Sequence, residues 1–147
     1  MLIREAAEND LPGILEVLKE MDGEDGLDPA ESLSIWRKMQ EYPYYKIFVA
    51  EDTQSIIGTC SLIIIDNLGH QGAKLAVAES MIVSSEFRGR GVGSQMMQFM
   101  MERAKTENCY KLMLSSNKKR ISAHRFYEQL GFARHGISFM IEVNKND

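Results

Sequence analysis

Apolar positions along this chain alternate between a period of two and a period near four, which divides it into strands and helices. Leu2 to Glu5 reads as a first strand. Leu11, Ile14, Leu15 and Leu18 then recur at helical spacing behind Asp10, a candidate cap, with Pro12 in the first turn. A second helix is predicted from Asp28-Pro29-Ala30-Glu31, which offers a cap, a proline at the first helical position and an acid at the third. Leu33, Trp36 and Met39 face inward from it, and Pro43 closes it. Tyr45 to Glu51 and Ile56 to Ile65 predict a hairpin across Asp52-Thr53-Gln54-Ser55. After a turn at Asp66 to Gly72, Lys74 to Val83 reads as a long strand, although Ala76 and Ala78 are weak strand formers. Val92, Met96, Met100 and Ala104 at i, i+4, with Met97 and Met101 alongside, predict a strongly amphipathic helix. Tyr110 to Leu114 is a compact strand candidate. Ala123, Phe126, Tyr127 and Leu130 then mark a last helix, stopped by Gly131. Phe132–Arg134 and Ile137–Val143 are predicted as a terminal pair of strands.

Between the long strand and the amphipathic helix lies the stretch with the most chemistry. It runs Glu79-Ser80-Met81-Ile82-Val83, then Ser84-Ser85-Glu86-Phe87, then Arg88-Gly89-Arg90-Gly91-Val92-Gly93. A strand, a glycine loop and a helix start make an anion site. The first N–H groups of a helix lack internal partners, and its dipole is positive there. Glycines let the backbone approach a phosphate and reach positive φ. Arg88 and Arg90 add charge-assisted donors, each contributing about 1.5–3 kcal/mol if desolvated. The loop is not a Walker A motif, because the Lys-Ser/Thr pair is missing. Nor is it a dinucleotide fingerprint: Ser94 stands where a third Gly or Ala belongs, and Ser115-Ser116-Asn117 ends the next strand without a ribose-binding acid.

Bulk properties narrow the function further. The 147 residues suffice for one domain with its own core. No apolar run approaches the ~18 residues of a membrane span, and the N-terminus lacks a signal-peptide pattern. Cys60 and Cys109 read as reduced core thiols rather than a bridge, which fits the cytoplasm. The three histidines show no metal-ligand spacing, so no metal is expected. Net charge is −4, from 17 basic and 21 acidic residues, which argues against nucleic-acid binding.

Arg88-x-x-Gly91-x-Gly93 after a strand resembles the acetyl-coenzyme A pyrophosphate loop of the GNAT superfamily of N-acetyltransferases. A second string, Ala123-His124-x-Phe126-Tyr127-Glu128-x-Leu130-Gly131-Phe132, looks like another GNAT signature. The two stand in the family's order, and the resemblance extends from roughly Leu2 to Val143. It implies an α/β fold of mixed α+β character: a central, mostly antiparallel mixed sheet with splayed strands, flanked by helices. It also implies acetyl-coenzyme A as cosubstrate and a primary amine of a small molecule or peptide as acceptor. A homodimer is expected because dimers are common in the family. The other reading is a binding module that senses acyl-coenzyme A without turnover.

Residue by residue, the resemblance implies that the backbone of Ile82 and Val83 holds the pantetheine arm and thioester carbonyl. Arg88, Gly89, Arg90, Gly91, Val92, Gly93 and Ser94 would hold the pyrophosphate. Asn117 is placed to contact the coenzyme, although Arg120 stands where the commoner family pattern has asparagine three residues before the alanine. Tyr127 is the candidate catalytic acid: a phenol with a reference pKa near ~10 stays protonated and can protonate a departing thiolate. The alternative is a core tyrosine. Phe126 is assigned to the core, and His124 to the surface or to packing. Glu79 is the candidate base for the amine, with partial burial expected to raise its pKa, or else an exposed strand-end glutamate. Strand alternation puts Glu79, Met81 and Val83 on one face. The acidic segment with Asp22, Glu24, Asp25 and Asp28 is either a solvated connection or an attractor for a cationic amine.

Overall fold

The computed structural model describes residues 1–21 and 26–144, so Asp22, Glu24 and Asp25 of the acidic segment lie outside the described residues. The chain clusters into two compact units, Met1–Leu114 and Ser115–Asp147.

The first unit runs β1 (Leu2–Glu5), α1 (Leu11–Leu18), α2 (Pro29–Met39), β2 (Tyr45–Asp52), β3 (Ser55–Ile65), β4 (Lys74–Val83), α3 (Val92–Thr106) and β5 (Cys109–Met113). The strands form one sheet in sequence order, antiparallel except for the β4–β5 pair. That pair is parallel because α3 carries the chain back between them. The β2–β3 hairpin turns on Thr53 and Gln54, with φ of +49° and +62°, the left-handed pair that suits a two-residue hairpin loop.

Both faces of the sheet are covered, so β2 and β3 carry continuous buried runs. On one face, Ile14 of α1 and Trp36 of α2 pack with Ala6 and Val49, flanked by Leu11, Leu18, Ile47 and Ile56. On the other, Phe48 is fully buried with its ring centroid 5.3 Å from that of Phe99 on α3. Burying one such ring contributes about 2–3 kcal/mol. Val92, Met96, Met97, Met100 and Ala104 form the buried stripe of α3, whereas Met101 falls outside it and is exposed. Asp28 caps α2 as expected, accepting from the Ala30 and Glu31 N–H groups. Asp10 sits at the start of α1 but does not cap it. Its carboxylate turns back to the Ala7 N–H at 2.7 Å and to Arg4 at 2.7 and 2.8 Å. An arginine within reach outcompetes the helix's own N–H groups.

The second unit contains α4 (Ile121–Gln129). Gly131, at φ +98°, donates to the Glu128 carbonyl at 3.0 Å and Phe132 donates to the Tyr127 carbonyl at 3.1 Å, the paired bonds of a Schellman stop. The predicted strands Phe132–Arg134 and Ile137–Val143 are not formed. Ile137, Phe139, Met140, Ile141 and Val143 are each at least 82% exposed. An alternating pattern favours extended backbone, but a strand exists only where a neighbour takes its hydrogen bonds.

Candidate active site

β4 is built to open on one side. Its first four residues, Lys74–Val77, pair with β5, and the register ends at Val77 opposite Met113. Among the described residues only β3 pairs with it from Ala78 to Val83, so its other edge has no described strand beside it. The backbone N–H and C=O groups of such an edge are donors and acceptors for an extended ligand.

A bulge interrupts this same stretch. Ser61 pairs with Glu79 and Thr59 with Ile82, so Ser80 and Met81 together oppose Cys60, and Ser80 takes φ +52°. The bulge resets the alternation read from the sequence. Paired residues share a face, so Ile82, not Val83, lies on the face of Glu79. Val83 pairs with Gly58, where an added Cβ would lie 2.9 Å from Met96 Sδ of α3, and thus faces that helix. Cys60 is fully buried, with Sγ 3.6 Å from the Glu79 carbonyl oxygen. Burial pushes this thiol up to about 12, which keeps it a neutral donor beneath the bulge. Glu79 itself is exposed, without the partial burial expected for it.

The chain leaves β4 through a tight turn. Ser84 donates to the Ile57 carbonyl at 2.7 Å, and Ser85–Phe87 form one 3-10 turn closed by Phe87 N–H on Ser84 O at 2.9 Å. Gly89 and Gly91 follow at φ +76° and +79°. An added Cβ at Gly89 would meet nothing within 4 Å, so glycine serves the backbone angle there rather than space. Gly91 is the N-cap of α3, no side chain caps it, and the first helical bond runs from Gln95 N to Gly91 O at 3.1 Å. The N–H groups of Val92, Gly93 and Ser94 therefore precede the helix's own hydrogen bonding. Arg88 is 55% exposed at its side chain, and Nε donates to the Val83 carbonyl at 3.0 Å. The Arg90 guanidinium stands 5.2 Å over the Phe87 ring. These residues follow one another at the open end of β4, where the sequence predicts an anion site.

Two contacts behind this stretch of chain carry no sequence signal. The Glu20 carboxylate, just past α1, accepts from Ser85 N–H and Ser85 Oγ–H, each at 2.9 Å. Cys60 lies under the bulge. Neither shares a motif or a spacing with the residues it holds, so only the folded chain reveals them.

In the second unit Tyr127 is half-buried, and no residue of α4 is fully buried. Its ring packs against Phe126 and Phe132, with centroids 5.2 and 5.9 Å away. Asn117 builds the turn before α4: Oδ1 accepts from Lys119 N–H at 2.9 Å, and its carbonyl accepts from Arg120 N–H at 3.0 Å. His124 Nε2 lies 2.9 Å from that same carbonyl, which makes it a packing residue of the turn. No helix among the described residues is long and apolar enough to cross a membrane.

Compared with known proteins, residues 11–132 match the acetyltransferase (GNAT) family. The chain belongs to that family. GNAT members are acetyltransferases, and the mixed five-stranded sheet is their fold. This GNAT chain is 29% identical over 142 residues to a glucosamine 6-phosphate N-acetyltransferase of Trypanosoma brucei brucei, covering 96% of this chain and 95% of the relative. It spans about half (54%) of a probable glucosamine 6-phosphate N-acetyltransferase of Drosophila melanogaster. It is 30% identical to an L-methionine sulfoximine/L-methionine sulfone acetyltransferase of Pseudomonas aeruginosa, over 88% of this chain and 78% of the relative. Among solved structures, a putative acetyltransferase from Agrobacterium tumefaciens superposes with a TM-score of 0.92 at 31% identity, covering 97% of this chain and 99% of the other.

Proposed function

We propose that this protein transfers the acetyl group of acetyl-coenzyme A to the primary amine of a small molecule by direct attack on the thioester. The observation that carries this reading is the unpaired edge of β4, Ala78–Val83, running into an uncapped helix start through a glycine loop with two arginines. An extended pantetheine arm fits beside such an edge, held by backbone groups of Ile82 and Val83. A diphosphate fits the N–H groups of Val92, Gly93 and Ser94, with Gly89 and Gly91 giving the curvature and Arg88 and Arg90 the charge. Asn117 is assigned no more than its backbone contribution, since its side-chain oxygen already closes a turn.

The transfer forms a C–N bond and breaks the C–S bond. The amine loses a proton, assigned to Glu79, which as an exposed carboxylate takes it directly or through water. The thiolate gains a proton, assigned to Tyr127 from its place in the Phe-Tyr-Glu-x-Leu-Gly-Phe string. The acceptor is proposed to be a small amine, with amino-sugar phosphates first, because relatives bearing that activity align over almost the whole chain. One acetyltransferase domain is proposed to span both units, since the family match crosses Leu114. The free thiols, with Cys60 fully buried, support a reducing, cytoplasmic setting. A homodimer is favoured by the exposed apolar run Ile137–Val143 and by the outer edge of β5, which no described strand pairs with.

The test is release of free thiol from acetyl-coenzyme A with glucosamine 6-phosphate, methionine sulfone and a peptide amine. Turnover above the amine-free rate with one of them supports the enzyme. Coenzyme binding without release on any amine favours the sensor reading.

A further inference from the structure

We propose that Glu20 is a positioning residue for the coenzyme loop, acting through Ser85 on the 3-10 turn that precedes Arg88. The proposal rests on the reading of that loop as the diphosphate cradle. Glu20 follows α1 by two residues, where its N–H donates to the Val17 carbonyl at 3.1 Å. From there both carboxylate oxygens cross 65 positions of sequence to one residue. Oε1 accepts from Ser85 Oγ–H and Oε2 from Ser85 N–H, each at 2.9 Å. Oε2 also lies 3.9 Å from Arg88 Nη2, while Arg88 Nε donates to the Val83 carbonyl at 3.0 Å.

The arginine is thereby held by a hydrogen bond to the last carbonyl of β4 and biased by the charge of the carboxylate behind the turn, at the outer limit of ion-pair distance. A long side chain held in this way loses less freedom when an anion arrives. Its remaining guanidinium N–H groups stay available to that anion. Electrostatics alone gives the opposite expectation: an acid beside an anion cradle repels a diphosphate, so its removal should strengthen binding. The two accounts differ in sign.

Calorimetric titration with coenzyme A separates them, on the full chain, for wild type, Glu20→Ala, Glu20→Gln and Glu16→Ala. Glu16 carries the same charge on α1 but pairs with Lys19 at 2.6 Å rather than with Ser85. Glu20→Ala is expected to weaken coenzyme A binding about five- to twentyfold, the scale of losing a bidentate charge-assisted contact at a half-exposed site. Glu20→Gln, whose amide oxygen accepts from Ser85 N–H and whose amide N–H donates to Ser85 Oγ, is expected to stay within about threefold of wild type. Glu16→Ala should match wild type. In turnover, Glu20→Ala should raise the KM for acetyl-coenzyme A and leave kcat at saturation unchanged. Wild type that binds no coenzyme A overturns the reading of the loop. Wild-type binding with Glu20→Ala equal or tighter overturns the role of Glu20 alone, as does Glu20→Gln falling as far as Glu20→Ala, or Glu16→Ala falling with them.

Discussion

Phe132 meets Tyr127 edge-on, with ring centroids 5.9 Å apart at 67°, and its own N–H donates to the Tyr127 carbonyl at 3.1 Å. The two are the outer and inner residues of the Schellman stop that Gly131 makes possible, and an apolar contact between those positions is the usual companion of that motif. The Leu-Gly-Phe end of the signature therefore has a local purpose: it stops α4 and holds the Tyr127 ring in place.

Tyr127→Phe keeps that ring packing and removes only the hydroxyl. It is expected to lower kcat by roughly ten- to a thousandfold, with coenzyme affinity little changed, as for a group acting mainly in the transition state. Steady-state kinetics with an identified acceptor checks it; wild-type turnover would reduce Tyr127 to a packing residue.

Replacing both Arg88 and Arg90 with Ala should leave the fold intact, since both side chains are largely exposed. Coenzyme A affinity should fall by about ten- to a hundredfold, the loss of two partly solvated charge-assisted contacts. Titration calorimetry reads it, and unchanged affinity would remove the pyrophosphate from this loop.

Glu79→Gln should remove most activity at neutral pH and recover part of it at high pH, where the free amine is abundant without help. A residue that only shaped the site would leave a defect at every pH. Overlapping pH–rate profiles of mutant and wild type would reassign the base to water.

The Arg4–Asp10–Glu51 cluster sets a stability prediction. Hydrogen bonds from Arg4 hold the Asp10 carboxyl below the usual carboxylate range. A depressed folded pKa means that the contribution is complete above the unfolded value of ~3.9 and is lost as pH falls through the lower, folded one. Asp10→Asn should cost about 1–2 kcal/mol near neutrality, after allowing for the partial exposure of Arg4. The gap between mutant and wild type should close in strong acid. Denaturant unfolding at several pH values measures it, and a gap independent of pH would exclude the ion pair as its source.

What the sequence determined by itself is what neighbours along the chain decide. Periodicity located every strand of the sheet, with β1 and β4 matching their predicted bounds, and the cap at Asp28 and stop at Gly131 follow from contacts within five residues. The glycine loop was legible for the same reason, since strand, loop and helix start are contiguous. Only the tertiary structure decided where β4 loses its second neighbour, because that depends on where β5 ends. It also decided the bulge, which one residue of mismatch against Cys60 creates and which moves Val83 off the face of Glu79. Asp10 left its helix for Arg4, and Glu20 reached Ser85 across 65 positions. Residues 137–143 have the alternation of a strand and form none. Hydrogen bonds and ion pairs between distant residues depend on which groups the fold brings within about 3 Å, and no local pattern encodes that distance.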